Sequence, residues 1–185
     1  MNFIYSKARV LNRGTPPDEF LEQLVDWAKH APMDLFAPNS EPADIYTYVK
    51  PVLGPWTSVE YRRGVLLEVM RVHAGFESSW NWNEGVDTTN HTSMTHLEGQ
   101  ETGAFQVSFD STYIDNHRLA HFAQSEDIDT PQEFIPRMKL DHELALTYYA
   151  RLVRFNVQWA GPIKRGEILP WLSRKSAEEL RILSI

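Results

Sequence analysis

The sequence predicts a mainly α-helical fold, in which a bundle surrounds a central hydrophobic helix and a small irregular or β-containing lobe lies beside it. Apolar residues recur at helical spacing in several segments of the chain. Helix-capping patterns precede some of these segments. A long polar stretch without periodicity, residues 81–102, separates the two longest of these helical segments and predicts the lobe.

The N-terminal part is expected to contain one helix followed by irregular chain. Residues 15–18 (Thr-Pro-Pro-Asp) indicate a helix start, and apolar residues then follow at helical spacing until Pro32. Prolines are frequent over 32–56, which favours short turns there. Residues 57–60 (Thr-Ser-Val-Glu) form a capping pattern, so the central helix is expected to begin there and to end near Glu77.

The C-terminal half is predicted to be helical again. A helical segment is expected within 111–124, and residues 130–133 (Thr-Pro-Gln-Glu) begin another, which Pro136 should limit. Apolar spacing predicts a long helix over about 138–155, ended by Gly161 and Pro162. Residues 176–179 (Ser-Ala-Glu-Glu) predict the cap of a short C-terminal helix.

Length and composition favour one compact unit, in which an N-terminal helix and Pro-rich segment (1–56) pack on a core formed by 57–185. The net charge of −7 argues against a broad surface for nucleic acid or anionic lipid. The absence of cysteine excludes disulfides and thiolate chemistry. Neither a Sec signal nor a run of ~20 apolar residues is evident, so action outside the cytoplasm is expected to need another route of release or delivery.

One acid stands among aromatic residues at the predicted end of the central helix. Glu77 follows Phe76 and precedes Trp80 and Trp82. The helix dipole and the exclusion of water both disfavour a charged carboxylate at this position. A carboxyl group that keeps its proton near neutral pH can serve as a general acid. The alternative interpretation is a glutamate that points into water from a frayed helix end.

Three stretches, in order along the chain, resemble motifs of soluble lytic transglycosylases and goose-type lysozymes. Residues 77–83 (ESSWNWN) resemble their Glu-Ser-x-aromatic-Asn motif, and residues 102–108 (TGAFQVS) resemble their Gly-Leu-Met-Gln stretch. Residues 158–163 (QWAGPI) resemble their Tyr-Asn-Ala-Gly-Pro stretch, with Gln158 and Trp159 in place of the tyrosine and asparagine. The resemblance covers roughly residues 59–172.

This resemblance implies a lysozyme-like α+β fold and cleavage of the β-1,4 bond between N-acetylmuramic acid and N-acetylglucosamine in peptidoglycan. It implies that Glu77 is the catalytic acid and that no cofactor is needed. Phe105 is also expected to lie mainly in the core. The residues expected to contact the glycan are Ser78, Trp80, Trp82, Gly103, Phe105, Gln106, Gln158 and Trp159, with Trp80 or Trp82 the best candidate for lining a cleft.

A second carboxylate would decide the mechanism. An inverting hydrolase needs a base about 6.5–9.5 Å from the acid, and a retaining one needs a nucleophile at about 5 Å. The resemblance also allows a lytic transglycosylase, in which the hydroxyl of muramic acid attacks and one acid suffices. The candidates are Glu101, Asp110, Asp87 and Glu98, and for each the alternative is a solvated loop charge.

The histidines suggest two other roles. His91 and His96 lie in the polar stretch near acidic residues, but no helical His-Glu-x-x-His pattern occurs, so a metal site is not expected. His73 is four residues before Glu77 and should share its helical face. It can hydrogen-bond the acid or be a satisfied histidine of the core.

The leading hypothesis is a peptidoglycan-cleaving glycosidase, either a muramidase or a lytic transglycosylase. The alternatives are a non-catalytic glycan-binding module of the same fold and a metal-dependent hydrolase that uses the loop histidines. Peptidoglycan strands are the expected partner. A phage endolysin and a delivered bacterial effector both fit, and an effector would need a cognate immunity protein. The oligomeric state is left open.

Overall fold

The computed structural model describes residues 1–39, 44–56, 58–85, 96–114, 118–155 and 157–185. Across these ranges the protein has eight α-helices and no β-sheet, which confirms the mainly helical prediction. In the described part of the lobe, the β-content is one antiparallel bridge between Thr102 and Val107. The helices are α1 (Asp18–His30), α2 (Ile45–Leu53), α3 (Val59–Ser78), α4 (Arg118–Ser125), α5 (Pro131–Leu140), α6 (His142–Phe155), α7 (Gly161–Lys164) and α8 (Arg174–Leu183). Four 3-10 turns lie between them: Met33–Leu35, Leu97–Gly99, Phe109–Tyr113 and Leu169–Trp171.

Helix α3 is central because it is buried on nearly all sides, as its long apolar run requires. The Ser58 hydroxyl caps it by accepting a hydrogen bond from the Tyr61 N–H at 3.1 Å. Helix α8 packs along it more extensively than any other described helix. Gly64 permits that approach, because a Cβ there would lie 2.2 Å from the Ala177 carbonyl oxygen.

A buried ion pair on α3 holds two other segments against it. Arg71 and Glu68 have fully buried side chains, and Arg71 Nε lies 2.7 Å from Glu68 Oε2. Arg71 Nη1 also donates to the Ala8 carbonyl at 2.9 Å, and Glu68 Oε1 accepts from the Ser173 N–H at 2.8 Å. The pair therefore fastens the N-terminal segment and the start of α8 to the central helix.

A second buried cluster orders the proline-rich region. Arg154 Nε of α6 donates to Asp44 Oδ1 at 2.9 Å, and Asp44 Oδ1 also caps α2 by accepting from the Tyr46 N–H at 3.3 Å. Arg154 donates further to the carbonyls of Asp34, Leu35 and Ala37. Burial raises the pKa of Asp44, and the charge of Arg154 opposes that shift. These contacts explain why a helix forms where the prolines predicted short turns.

Several other observed helix boundaries differ from the predicted ones. Pro51 lies near the end of α2, where it removes one hydrogen bond without preventing the helix. Helix α5 continues through Pro136, and the chain breaks at Asp141, so the helix predicted over 138–155 is two helices. Ser173 rather than Ser176 caps α8, through the N–H of Ser176.

Buried apolar side chains from residues 1–56 and from residues 57–185 belong to one cluster. Leu24 and Val25 of α1 and Val49 of α2 join Leu66 and Met70 of α3 in it. In the part of the chain that the structure describes, no helix is both long and apolar enough to cross a bilayer.

Candidate active site

Glu77 occupies the last turn of α3, and its side chain is 24% exposed. Ser79 follows with φ 56°, a left-handed conformation that ends the helix. The Ser78 hydroxyl donates to the Ala104 carbonyl at 2.8 Å and accepts from the Asn81 N–H at 3.1 Å. Ser78 is therefore buried and joins the helix end to the loop opposite; this corrects its expected role as a glycan contact.

A cleft of about 780 Å³ opens at Glu77. Glu101, Trp159, Gly161, Arg13 and Arg165 also border it. A smaller cavity of about 50 Å³ shares Glu77, Glu101, Trp159 and Gly161 with the cleft and adds Gln106 and Tyr149. Glu77, Gln106 and Gly161, one from each of the three stretches described above, thus border the same small cavity.

The second stretch forms a tight turn that presents Gln106 to the smaller cavity. Thr102 and Val107 exchange backbone hydrogen bonds of 2.9 and 3.1 Å at its base. Gly103 has φ 73°, and a Cβ there would lie 2.8 Å from the Met138 carbonyl oxygen, so glycine is required. Gln106, at φ 46°, donates from Nε2 to the Gly103 carbonyl at 2.9 Å. Gly103 itself supports the turn and does not border the cavities.

The aromatic residue exposed in the cleft is Trp159, which is 40% exposed. Trp80 is 4% exposed and donates from Nε1 to the Arg71 carbonyl at 2.7 Å. Trp82 is 9% exposed and stacks on His142 with ring centroids 4.1 Å apart. The expectation that Trp80 or Trp82 lines the cleft is therefore wrong, because left-handed backbone at Ser79 and Trp80 reverses the chain and turns both indoles inward.

Among the described candidates for a second carboxylate, Glu101 is the one that borders the cleft. Asp110 Oδ1 accepts from the Ser108 hydroxyl at 2.5 Å within a 3-10 turn, away from Glu77. Glu98 is exposed and does not border either cavity. Asp87 lies outside the described residues.

Two stacked aromatic rings, those of His73 and Tyr149, lie on the buried side of Glu77. His73 is 2% exposed, and its Nε2 lies 3.2 Å from Glu77 Oε1, outside the angular range of a hydrogen bond. The His73 ring stacks on Tyr149 at 5.1 Å, and Tyr149 stacks on Phe105 at 4.1 Å. Burial and the nearby charge of Glu77 raise the pKa of Tyr149 well above its ordinary value, so its hydroxyl stays protonated. Phe105 is core, as expected, and also borders the smaller cavity.

Two cations stand at the rim of the cleft. Arg165 Nε lies 2.7 Å from Glu167 Oε1, and this hydrogen bond, together with the charge of Glu77, raises the pKa of Arg165. Arg13 is exposed on the wall that the N-terminal segment provides. Gln158 is exposed but does not border the cleft, so the third stretch contributes through Trp159 and Gly161 instead.

The described residues contain no group of three His, Cys, Asp or Glu side chains that could hold a metal ion. His96 is exposed beside its 3-10 turn. His91 lies outside the described residues.

The polar residues at these cavities that the sequence did not identify include Tyr149, Arg165 and Arg13. Tyr149 lies one position beyond Tyr148, which belongs to the apolar stripe of α6, and no spacing links it to Glu77. Arg165 follows the third stretch, and its proximity to Gly161 was the one signal that could have identified it. Arg13 comes from a segment without periodicity, and the sequence offers no signal for its position.

Comparisons of the chain with protein-family models, with curated proteins and with solved structures found no match.

Proposed function

We propose that the protein is a peptidoglycan-cleaving glycosidase that acts on the β-1,4 bond between N-acetylmuramic acid and N-acetylglucosamine. One observation carries the proposal. A partly exposed glutamate at the end of a buried helix, Glu77, borders the cleft together with Trp159 and the smaller cavity together with Trp159 and Gln106. The motif resemblance supports it as well, because residues from all three stretches border the smaller cavity.

Glu77 supplies the proton in this proposal. Its carboxyl group protonates the glycosidic oxygen as the bond to the anomeric carbon breaks, and the carboxylate that remains later accepts a proton from the attacking group. The exposed ring of Trp159 stacks on the apolar face of a sugar. Arg13 and Arg165 at the rim attract carboxylates of the stem peptides.

Glu101 separates the two mechanisms. If it activates water, the products carry reducing ends and the protein is a muramidase. If it does not, the hydroxyl of muramic acid attacks the anomeric carbon, Glu77 acts alone, and the products carry anhydro ends. A protein with this activity acts on the cell wall after release or delivery, and an effector of this type is expected to have a cognate inhibitor.

Digestion of purified peptidoglycan tests the proposal, with products identified by mass spectrometry. Glu77→Gln keeps the side-chain shape but removes the acidic proton, and loss of a general acid lowers the rate by about 10²–10⁴-fold. Glu101→Gln lowers it comparably in a muramidase and little in a transglycosylase. Glu98→Gln is the matched control, because Glu98 is an exposed acid away from the cleft, and it is expected to keep full activity.

Equal cleavage by the wild type and Glu77→Gln would contradict the assignment of the acid. Binding of glycan strands by the wild type without any cleavage would favour the non-catalytic module instead.

A further inference from the structure

His73 is a buried side chain whose polar atoms are not satisfied by the core. It is 2% exposed, and neither ring nitrogen has a hydrogen-bond partner among the described residues. Leaving such a group unpaired costs free energy, so a buried histidine of this kind requires an explanation. Within the described residues, His73 is therefore not a satisfied core histidine. Its proximity to Glu77 is the remaining explanation for its position.

The contact with Glu77 is close but not aligned. His73 Nε2 and Glu77 Oε1 are 3.2 Å apart, within hydrogen-bond distance. The His73 ring is held by its stacking on Tyr149, where the two ring planes differ by 12°. Glu77 is partly exposed and has room to turn, whereas the ring has none. Hydrogen bonds of catalytic groups often become linear only when substrate is bound.

We infer that His73 is the positioning residue of Glu77, an inference that rests on the function proposed above. A neutral imidazole with its hydrogen on Nε2 donates to Glu77 Oε1. The acidic proton then occupies the other oxygen, Oε2, which is left to face the glycosidic oxygen in a single orientation. A protonated imidazole would favour the charged carboxylate and so remove the proton that the leaving group needs.

Other groups around Glu77 cannot replace this contact. Tyr149 of α6 is buried and keeps its hydroxyl proton, so it supports the ring without adding charge. Glu101, Arg13, Arg165 and Glu167 border the open cleft, where solvent screens their charges. His73 alone among these groups contacts the carboxyl group from the buried side.

Two variants separate positioning from packing. His73→Phe keeps a flat ring against Tyr149 but removes the donor, whereas His73→Gln keeps an N–H donor. We expect His73→Phe to lower kcat on soluble peptidoglycan fragments by at least about tenfold, because a misplaced catalytic group loses rate steeply, with KM nearly unchanged. Its alkaline limb in the kcat–pH profile should move to higher pH, because the carboxylate has lost a donor that stabilises its charged form. His73→Gln should retain most of the wild-type kcat and the wild-type limb.

Wild-type kcat and an unchanged pH profile in His73→Phe, even with a lower Tm, would overturn the inference and leave His73 a packing residue. Nitrogen-15 NMR of the full chain adds a readout that does not depend on activity. The Nε2–H tautomer at neutral pH is expected, and the Nδ1–H tautomer or a charged ring would overturn the inference. Failure of the wild type to cleave peptidoglycan would reject the proposed function, while a shift of the His73 Nε2 resonance in Glu77→Gln would still report the contact between the two side chains, and an unchanged resonance would overturn the inference.

Discussion

Two adjacent tyrosines of α6 differ in the pairing of their hydroxyl groups. The Tyr148 hydroxyl is hydrogen-bonded to the Ser111 hydroxyl, whereas the Tyr149 hydroxyl is buried without a partner among the described residues. Tyr149→Phe should therefore raise the free energy of unfolding by about 1 kcal/mol, because it removes an unsatisfied group and keeps the ring stack. Tyr148→Phe is the matched control and should lower it by about 1 kcal/mol. Urea unfolding measures the change in the free energy of unfolding in each variant. Changes of the same sign in both variants would contradict the contact assignment.

Trp80 is buried whereas Trp159 is exposed in the cleft, and this difference shows what the sequence could and could not predict about the site. Glu77 was proposed because three ordered motifs accompany it, since its position after an apolar helical run also fits a glutamate that points into water. Gln106 and Gly161 were predictable because they belong to ordered motifs. The orientation of an aromatic side chain could not be predicted, because it depends on backbone dihedral angles such as φ 62° at Trp80. No residue pattern near that position indicates this angle.

The contact between α3 and α8 depends on a residue without a side chain. Alanine at position 64 would favour the helix intrinsically, but its Cβ would lie 2.2 Å from the Ala177 carbonyl oxygen and 2.8 Å from Arg181 Cβ. We expect Gly64→Ala to lower the free energy of unfolding by about 1–3 kcal/mol, because the two helices must separate.

Gly85→Ala is the control for this prediction, because its Cβ would meet only the flexible end of Lys139, at 3.9 Å. Its effect should stay within about 0.5 kcal/mol. Thermal unfolding measures both, and an unchanged Tm in Gly64→Ala would mean that the helices can shift without cost.

The N-terminal segment is attached to α8 through one carboxylate. Glu179 accepts hydrogen bonds from the N–H groups of Ile4 at 2.8 Å, Tyr5 at 3.1 Å and Ser6 at 2.7 Å, and from the Ser6 hydroxyl. Partial burial disfavours its charge, but these donors outweigh burial and lower its pKa. A lowered pKa means that the attachment is fully present above the ordinary value of 4.5 and is lost as the pH falls through the folded value.

Hydrogen exchange at the Ser6 N–H should therefore accelerate in the wild type as the pH falls below about 4.5, beyond the change of intrinsic exchange, and Glu179→Gln should show faster exchange already at neutral pH. Glu178→Gln is the control, because Glu178 pairs with Arg181 within α8 and does not contact the segment. Exchange that is equally slow in Glu179→Gln would contradict this role.

Helix ends that have clear capping or apolar patterns were predicted, whereas a helix stabilised by distant contacts was not. The beginning of α1 and the end of α3 at Glu77 agree with the capping and apolar patterns. Helix α2 was missed because its stability comes from Arg154, which lies more than 100 residues away and satisfies Asp44 and the carbonyls before it. Contacts of that separation leave no periodic signal in the chain.

The net charge of −7 has the same sign as the charge of the proposed substrate. An acidic protein is repelled by an anionic cell wall at long range, and salt screens that repulsion within about 10 Å at 0.1 M. We expect initial rates on intact peptidoglycan to rise between about 10 and about 100 mM salt, and rates on short neutral glycan fragments to stay constant. A rate that falls with salt would mean that Arg13 and Arg165 dominate the encounter.

The chain between Glu84 and Gly103 leaves and returns at one place, because the Gly103 N–H donates to the Glu84 carbonyl at 3.1 Å. The Ser78 hydroxyl ties the same base to the helix that carries Glu77. Doubling the length of a loop closed in this way costs only about 0.6 kcal/mol. Extra residues inserted ahead of Glu101 should therefore leave Glu77 in place relative to Gln106, so new binding sequences could be grafted there without disturbing the proposed site.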